Sequence, residues 1–178
     1  FMITDSVTQE RTQALSYIGS GAVSWLIKQD DAGPFFAADG GGMAGELHRN
    51  QFIADVISAR ADPDSIFVTD AGNSVLISDF VARAMRKIDP GELTATDRLR
   101  TGPDGNELGW TLIAFSRAKL ELADWVNEKR ERIYFTDLLR IALDRPVNWG
   151  SYEGLIEQLG IAVSLHEYKK DRLADALA

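Results

Sequence analysis

Two stretches of the chain, read together, decide its fold. Residues 46–88 run ELHRNQFIADVISARADPDSIFVTDAGNSVLISDFVARAMRKI, and residues 107–145 run ELGWTLIAFSRAKLELADWVNEKRERIYFTDLLRIALDR. Each begins with apolar residues at helical spacing (Leu47, Phe52, Ile53, Val56 and Ile57 in the first; Leu108, Trp110, Leu112, Ile113 and Phe115 in the second). Each then passes through a short extended piece, a polar turn, a second extended piece and a Ser/Thr-Asp pair that opens another helix. Shifting by 58 residues, a count read from the chain, superposes Val68 on Val126, Leu76 on Tyr134, Ile77 on Phe135, Ser78-Asp79 on Thr136-Asp137, and Ala84 on Ala142. Alternation in the extended pieces and the helix-start pair therefore agree in one register. A repeat of this kind constrains architecture strongly, because each unit must bury its apolar face on its neighbour.

Working outward, Ser6 or Thr8 opens a helical pattern over residues 6–28, interrupted by glycines at 19 and 21. Residues 30–45, DDAGPFFAADGGGMAG, lose all periodicity and read as a loop. The ADPD at 61–64 ends the helix begun near Glu46, and SIFVTDAGNSVLIS reads as two strands around a turn. Ser78 and Thr136 are the expected caps of the helices that follow. Residues 91–105 form a second linker, and YEGLIEQLGIAVSLHEY within 150–177 begins a partial third unit. The expected fold is a single domain over residues 1–178. It is mainly α, with about seven helices in two and a half helix–hairpin–helix repeats and the hairpins as side features.

Composition excludes several classes. With 178 residues, 45% hydrophobic and 26% charged, the chain has an ordinary globular make-up and enough length for one core. Its net charge of −8 opposes binding to a phosphate backbone or an anionic membrane surface. No apolar run is long enough to span a bilayer, and the FMITDSVTQER start lacks the pattern of a secretory signal. Cysteine is absent, which removes disulfide, thiolate and Cys-zinc chemistry. The expected compartment is the cytoplasm, with the periplasm as the alternative.

Chemistry-bearing residues fall at the repeat-helix starts. His48 opens the first, Glu107 the second and Glu153 the third. If the units pack about a shared axis, an imidazole and two carboxylates converge. They would suit an acid/base pair or a divalent metal with open positions. Ordinary capping also places glutamate in a helix's first turn, so the same residues have a purely structural reading. The GGGMAG run at 40–45 lacks a phosphate-loop pattern and reads as a connector. Trp110, Tyr152, Phe35 and Phe36 are candidate contacts for a ligand or partner, Phe35 and Phe36 because they lie in a loop. Neither GxSxG nor HExxH occurs.

The repeat helices, from ELHRNQFIADVIS through NELGWTLIAFS to SYEGLIEQLGIAV, resemble those of α/α-toroid proteins of the terpenoid cyclase and prenyltransferase type over residues 46–167. The acidic DxDD-type motif of that family is absent, so the resemblance implies architecture alone, a partial toroid. Two functions follow as expectations. The first is a binding module that engages a protein or a small apolar ligand through an acidic surface or an aromatic groove, with no cofactor. The alternative is a small hydrolase using His48, Glu107 and Glu153, by acid/base chemistry or around a divalent metal. No nucleic-acid or membrane partner is expected.

Overall fold

A hairpin feeding directly into a helix is the building block of the structure. The computed structural model describes residues 2–4, 11–13, 24–36, 50–59, 64–91, 107–119, 124–144 and 152–167, with single positions at 16, 18, 21 and 62. In chain order these give β1 (Met2–Thr4), β2 (Arg11–Gln13), β3 (Ile27–Asp30), β4 (Gly33–Phe36), α1 (Gln51–Ser58), β5 (Ile66–Val68), β6 (Ser74–Leu76) and α2 (Ile77–Lys87). There follow α3 (Glu107–Arg117), β7 (Asp124–Val126), β8 (Arg132–Tyr134), α4 (Phe135–Asp144) and α5 (Tyr152–Glu167). Among the described residues the strands pair with their sequence neighbours, as four two-stranded antiparallel hairpins.

The 58-residue register holds down to single hydrogen bonds. In the first unit the Thr69 N–H donates to the Asn73 carbonyl at 2.9 Å, and the Asn73 N–H donates to Thr69 Oγ1 at 3.0 Å. In the second, the Asn127 N–H donates to the Glu131 carbonyl at 3.0 Å, and the Glu131 N–H to Asn127 Oδ1 at 2.9 Å. Gly72 and Arg130, one repeat apart, both take positive φ, 82° and 65°. The buried residues match too. Val75, Ile77, Phe80, Val81 and Ala84 correspond to Ile133, Phe135, Leu138, Leu139 and Ala142. Burying each large apolar side chain contributes roughly 1.5–3 kcal/mol, so the shared pattern is also a shared source of stability.

Four expectations need correction. The fold is mixed α/β, not mainly α with about seven helices: five helices and four hairpins are delimited among the described residues. Part of the pattern at 6–28 is extended, with Arg11–Gln13 paired to Met2–Thr4 and Ile27–Asp30 forming a strand. Part of the 30–45 loop is that strand's partner, Gly33–Phe36. The physical reason lies in the Asp30-Asp31-Ala32-Gly33 turn. Asp30 Oδ1 accepts the Ala32 and Gly33 N–H groups, and Gly33 sits at φ +134°, open to glycine. The caps also shift. Helices α2 and α4 start at Ile77 and Phe135, one residue before Ser78 and Thr136, and Asp79 reaches back to the Leu76 N–H at 2.8 Å.

The core centres on α3, where every residue from Leu108 to Ser116 is buried. Its neighbours α1 and α5 supply Ile53, Ala54, Val56, Ile156 and Ile161 to the same cluster. Phe36, Phe52, Phe67 and Phe80 form a second focus between β4, α1, β5 and α2, with Phe36 stacked on Phe52 at 4.4 Å. The β7–β8 hairpin seats on the end of α2. Carbonyls there, left without intrahelical partners, accept from the Trp125 indole (Met85, 2.7 Å), the Glu128 N–H (Arg86, 2.8 Å) and the Asn127 amide (Ile88, 3.0 Å). Lys87 pairs with Glu128 at 2.6 Å and Lys129 with Asp89, flanking the joint.

Candidate functional site

Contacts along α3 fix how the first helix of each unit is oriented. Asn50, at the start of α1, donates to Thr111 Oγ1 near the start of α3 at 2.7 Å. Gly109 lies against Ile156 and Glu157 of α5, and Gly160 against Gly109 and Leu112. Further along, Ser116 and Ser164 share a buried hydrogen bond at 2.9 Å. At the far end, Glu167 pairs with Arg117 at 2.5 Å and with Lys119. Residues late in one helix meet residues late in the next, so α1, α3 and α5 run parallel and their N-termini gather at one end.

That arrangement brings the starts of α3 and α5, with Glu107, Tyr152 and Glu153 on helical backbone, to the same end of the helix row. The side chains of these three residues, and all of His48, lie outside the described residues. The polar pair described at this end, Asn50 and Thr111, is buried and mutually satisfied. Among the described residues, no group of three His, Cys, Asp or Glu side chains is placed to hold a metal.

The aromatic candidates have structural settings. Trp110 is buried in the core cluster. Phe36 stacks on Phe52, and Phe35 lies under the Arg83 guanidinium at 4.2 Å. Asp30 holds that guanidinium through two bonds, at 3.1 and 2.7 Å, and in return its carboxyl is pulled down to about 2. Phe35, Phe36, Asn50, Phe52, Phe80 and Arg83 surround a cleft of about 10 Å³, room for one water and no more. At this cleft the described aromatic rings pack on one another.

Two other features were not singled out by sequence reasoning. One is an open cleft of about 320 Å³ where α1, α3 and α5 end, lined by Ile57, Ser58, Arg117, Lys119 and Glu167. Lys119, then Arg117, hold the Glu167 carboxyl below its ordinary range, so acid and bases there already satisfy one another. The other is the outer side of α5. Leu155, Leu159 and Leu165 are 55%, 49% and 43% exposed, and Ala162 is exposed between them. From Gln158 to Leu165 there is no charged residue. The spacing of 155, 159 and 162 was available in the sequence. What was missing was the knowledge that the opposite side, with Ile156, Gly160, Ile161 and Ser164 buried, is the one seated on α3.

Comparison with protein-family models, with curated proteins and with solved structures found no match to this chain.

Proposed function

We propose that this chain is a repeat-built binding module that takes an apolar helix of a partner protein along the outer side of α5. The observation that carries the reading is the exposed, uncharged stripe of Leu155, Leu159, Ala162 and Leu165 on the last helix of a parallel row. Helix α3 has both flanks covered, by α1 and by α5, whereas α5 packs on α3, with a smaller contact to α4, and keeps large aliphatic side chains exposed on its outer side. Contiguous exposed apolar surface favours association, and residues at i, i+4 and i+7 are the anchors by which helices meet in grooves. The chain's net charge of −8 is spread elsewhere, so contact on this stripe needs no charge partner.

The test is a titration with a fluorescein-labelled, designed amphipathic helical peptide bearing leucine on one face, followed by anisotropy. Saturable binding in the range of about 10–100 μM is expected, with L159E at least about tenfold weaker while its circular dichroism melt is retained. Absence of saturation, or unchanged binding by L159E, overturns the reading.

The shared direction of α1, α3 and α5 favours a second reading. It supports a small hydrolase using His48, Glu107 and Glu153, by acid/base chemistry or around a divalent metal. Elemental analysis of the purified protein tests the metal version, and a stoichiometric metal lost on H48A would favour it over the first.

A further inference from the structure

We infer that the C-terminal end of α4 is a socket for a β-hairpin, and that the hairpin it takes is β1–β2 of a second copy of this chain. The inference does not rest on the apolar side of α5. It starts from a joint that the structure builds twice. At the first, the Asp70 N–H in the β5–β6 turn donates to the Ile27 carbonyl at 2.9 Å, and Lys28, the next residue, pairs with the Asp70 carboxylate at 2.5 Å. At the second, the Glu128 N–H in the β7–β8 turn donates to the Arg86 carbonyl at 2.8 Å, and Lys87, the next residue, pairs with Glu128 at 2.6 Å. Asp70 and Glu128 hold the same place in the repeat. Ile27 directly follows the helical turn Ser24–Leu26, and Arg86 lies in the last turn of α2. In both joints a helical segment ends under the hairpin of the following unit, offering a carbonyl to the turn N–H and a lysine to the turn acid.

The 58-residue register puts a third such end on α4. Leu143 holds the place of Met85 and Asp144 that of Arg86, and Arg145 follows in sequence as the cation in the place of Lys87. Met85 is packed against the core with the Trp125 indole on its carbonyl, whereas Leu143 is 47% exposed and Asp144 is exposed beside it. The side chain that is packed in at the α2 joint thus stands open at α4. A hairpin seated there continues an interface the structure already contains.

The occupant follows from what the joint accepts. Each seated hairpin has three rungs, and the middle one pairs Phe67 with Val75 in β5–β6 and Trp125 with Ile133 in β7–β8. Hairpin β1–β2 has the same three rungs, with Ile3 paired to Thr12 in the middle, and the DSVTQE between its strands carries the acids Asp5 and Glu10. Hairpin β3–β4 has four rungs, and its turn acid, Asp30, is already held by Arg83. With β5–β6 and β7–β8 seated on their own chain, β1–β2 of another copy fits the socket, its acids complementary to Arg145. The contact joins unlike patches, a hairpin to a helix end, so it is heterologous. A joint of this size covers much less than the ~800 Å² per partner of a standard interface, so association is expected at high micromolar concentration.

Sedimentation velocity of the full chain across roughly 5–500 μM tests this. The wild type should associate as concentration rises. L143E disables the socket and I3E the hairpin, so each alone should stay monomeric. An equimolar mixture of the two should form a dimer and nothing larger, because one variant keeps the hairpin and the other keeps the socket. Thermal melts check that both variants fold, and if I3E does not, D5K/E10K between the strands takes its place. A wild type that stays monomeric, association unaffected by L143E, or a mixture that stays monomeric or grows beyond a dimer overturns the inference.

Discussion

The Trp125 indole donates its N–H to the Met85 carbonyl at 2.7 Å, across 40 residues of sequence. One repeat thereby closes the helix of the one before it. The ring also meets Phe115 of α3 edge-on at 5.5 Å, so a single side chain touches the α2 terminus and the central helix. W125F keeps most of the ring contact and removes the donor, leaving a part-buried carbonyl unpaired. The expected loss is about 1–2 kcal/mol, read as a shift of the urea midpoint with unchanged slope. A slope that falls instead would mean the two repeats have begun to unfold separately. A midpoint that does not move would show that the bond contributes nothing to the joint.

Packing of α5 on α3 depends on two glycines. A Cβ on Gly160 would stand 2.7 Å from the Gly109 carbonyl oxygen, and one on Gly109 would stand 2.9 Å from the Glu157 nitrogen. Neither obstacle is a flexible side-chain end, so the helices must separate to admit a methyl group. In an exposed helix, Gly→Ala adds about 1 kcal/mol of stability through propensity. Here crowding at the crossing outweighs that gain, and G160A and G109A are each expected to destabilise by about 1–3 kcal/mol. At about 2–4 °C per kcal/mol for a chain of this size, thermal melts should fall visibly. A rise in melting temperature for G160A would mean that the helices do not cross this closely.

The repeat was legible because its signals are local. Alternation in IFV and SVL, the turns at 69–73 and 127–131 and the buried positions of α2 and α4 all lie within some twenty residues of sequence. The hairpin of β3 and β4 was not, although DDAG is a turn signal. Phe35 and Phe36 gave no period, and their strand is held by α2 through Arg83, some fifty residues later. The same distance problem affected the candidate site. Helical spacing placed Glu107 and Glu153 at helix starts, and the parallel course of α1, α3 and α5 follows only from long-range contacts such as Asn50 with Thr111 and Ser116 with Ser164. The open side of α5 was hidden for the opposite reason. Both faces of that helix are apolar, and periodicity alone does not tell a seated face from a spare one.

The Asp30–Arg83 pair predicts a dependence on acid. Arg83, bonded to the Asp30 carboxylate, holds its pKa at about 2 against an ordinary value of 3.8. A folded-state pKa below the unfolded one stabilises the fold above the unfolded value, and that contribution is lost as pH falls toward the folded value. The window is therefore between about 4 and 2. The Asp30 side chain is 37% exposed, so solvent screening reduces the contribution to no more than about 1 kcal/mol. D30N should be less stable than the wild type at neutral pH by up to this amount, and the gap should narrow on acidification through the window. Stability curves that stay parallel down to pH 2 would remove the pair from the account.

The two turns make a matched experiment on backbone strain. Gly72 and Arg130 hold equivalent places, at φ of 82° and 65°. Each donates its N–H to the first residue of its turn, Gly72 to Thr69 at 2.9 Å and Arg130 to Asn127 at 3.0 Å. A side chain in the left-handed region costs roughly 1 kcal/mol, and glycine avoids that cost at the expense of a freer unfolded chain. A Cβ on Gly72 would meet nothing within 4 Å, so backbone conformation is the only thing a substitution there changes. G72A is therefore expected to lower stability by about 1 kcal/mol. R130G should raise it by a few tenths to about 1 kcal/mol, and R130N should fall between R130G and the parent because asparagine tolerates this region. Chemical denaturation of the three variants beside the parent checks the order. Equal effects of opposite sign at the two positions would show that the turns are energetically as well as geometrically equivalent. Destabilisation by R130G would instead show that Arg130 holds its turn through its side chain, and the repeat would then be a likeness of backbone alone.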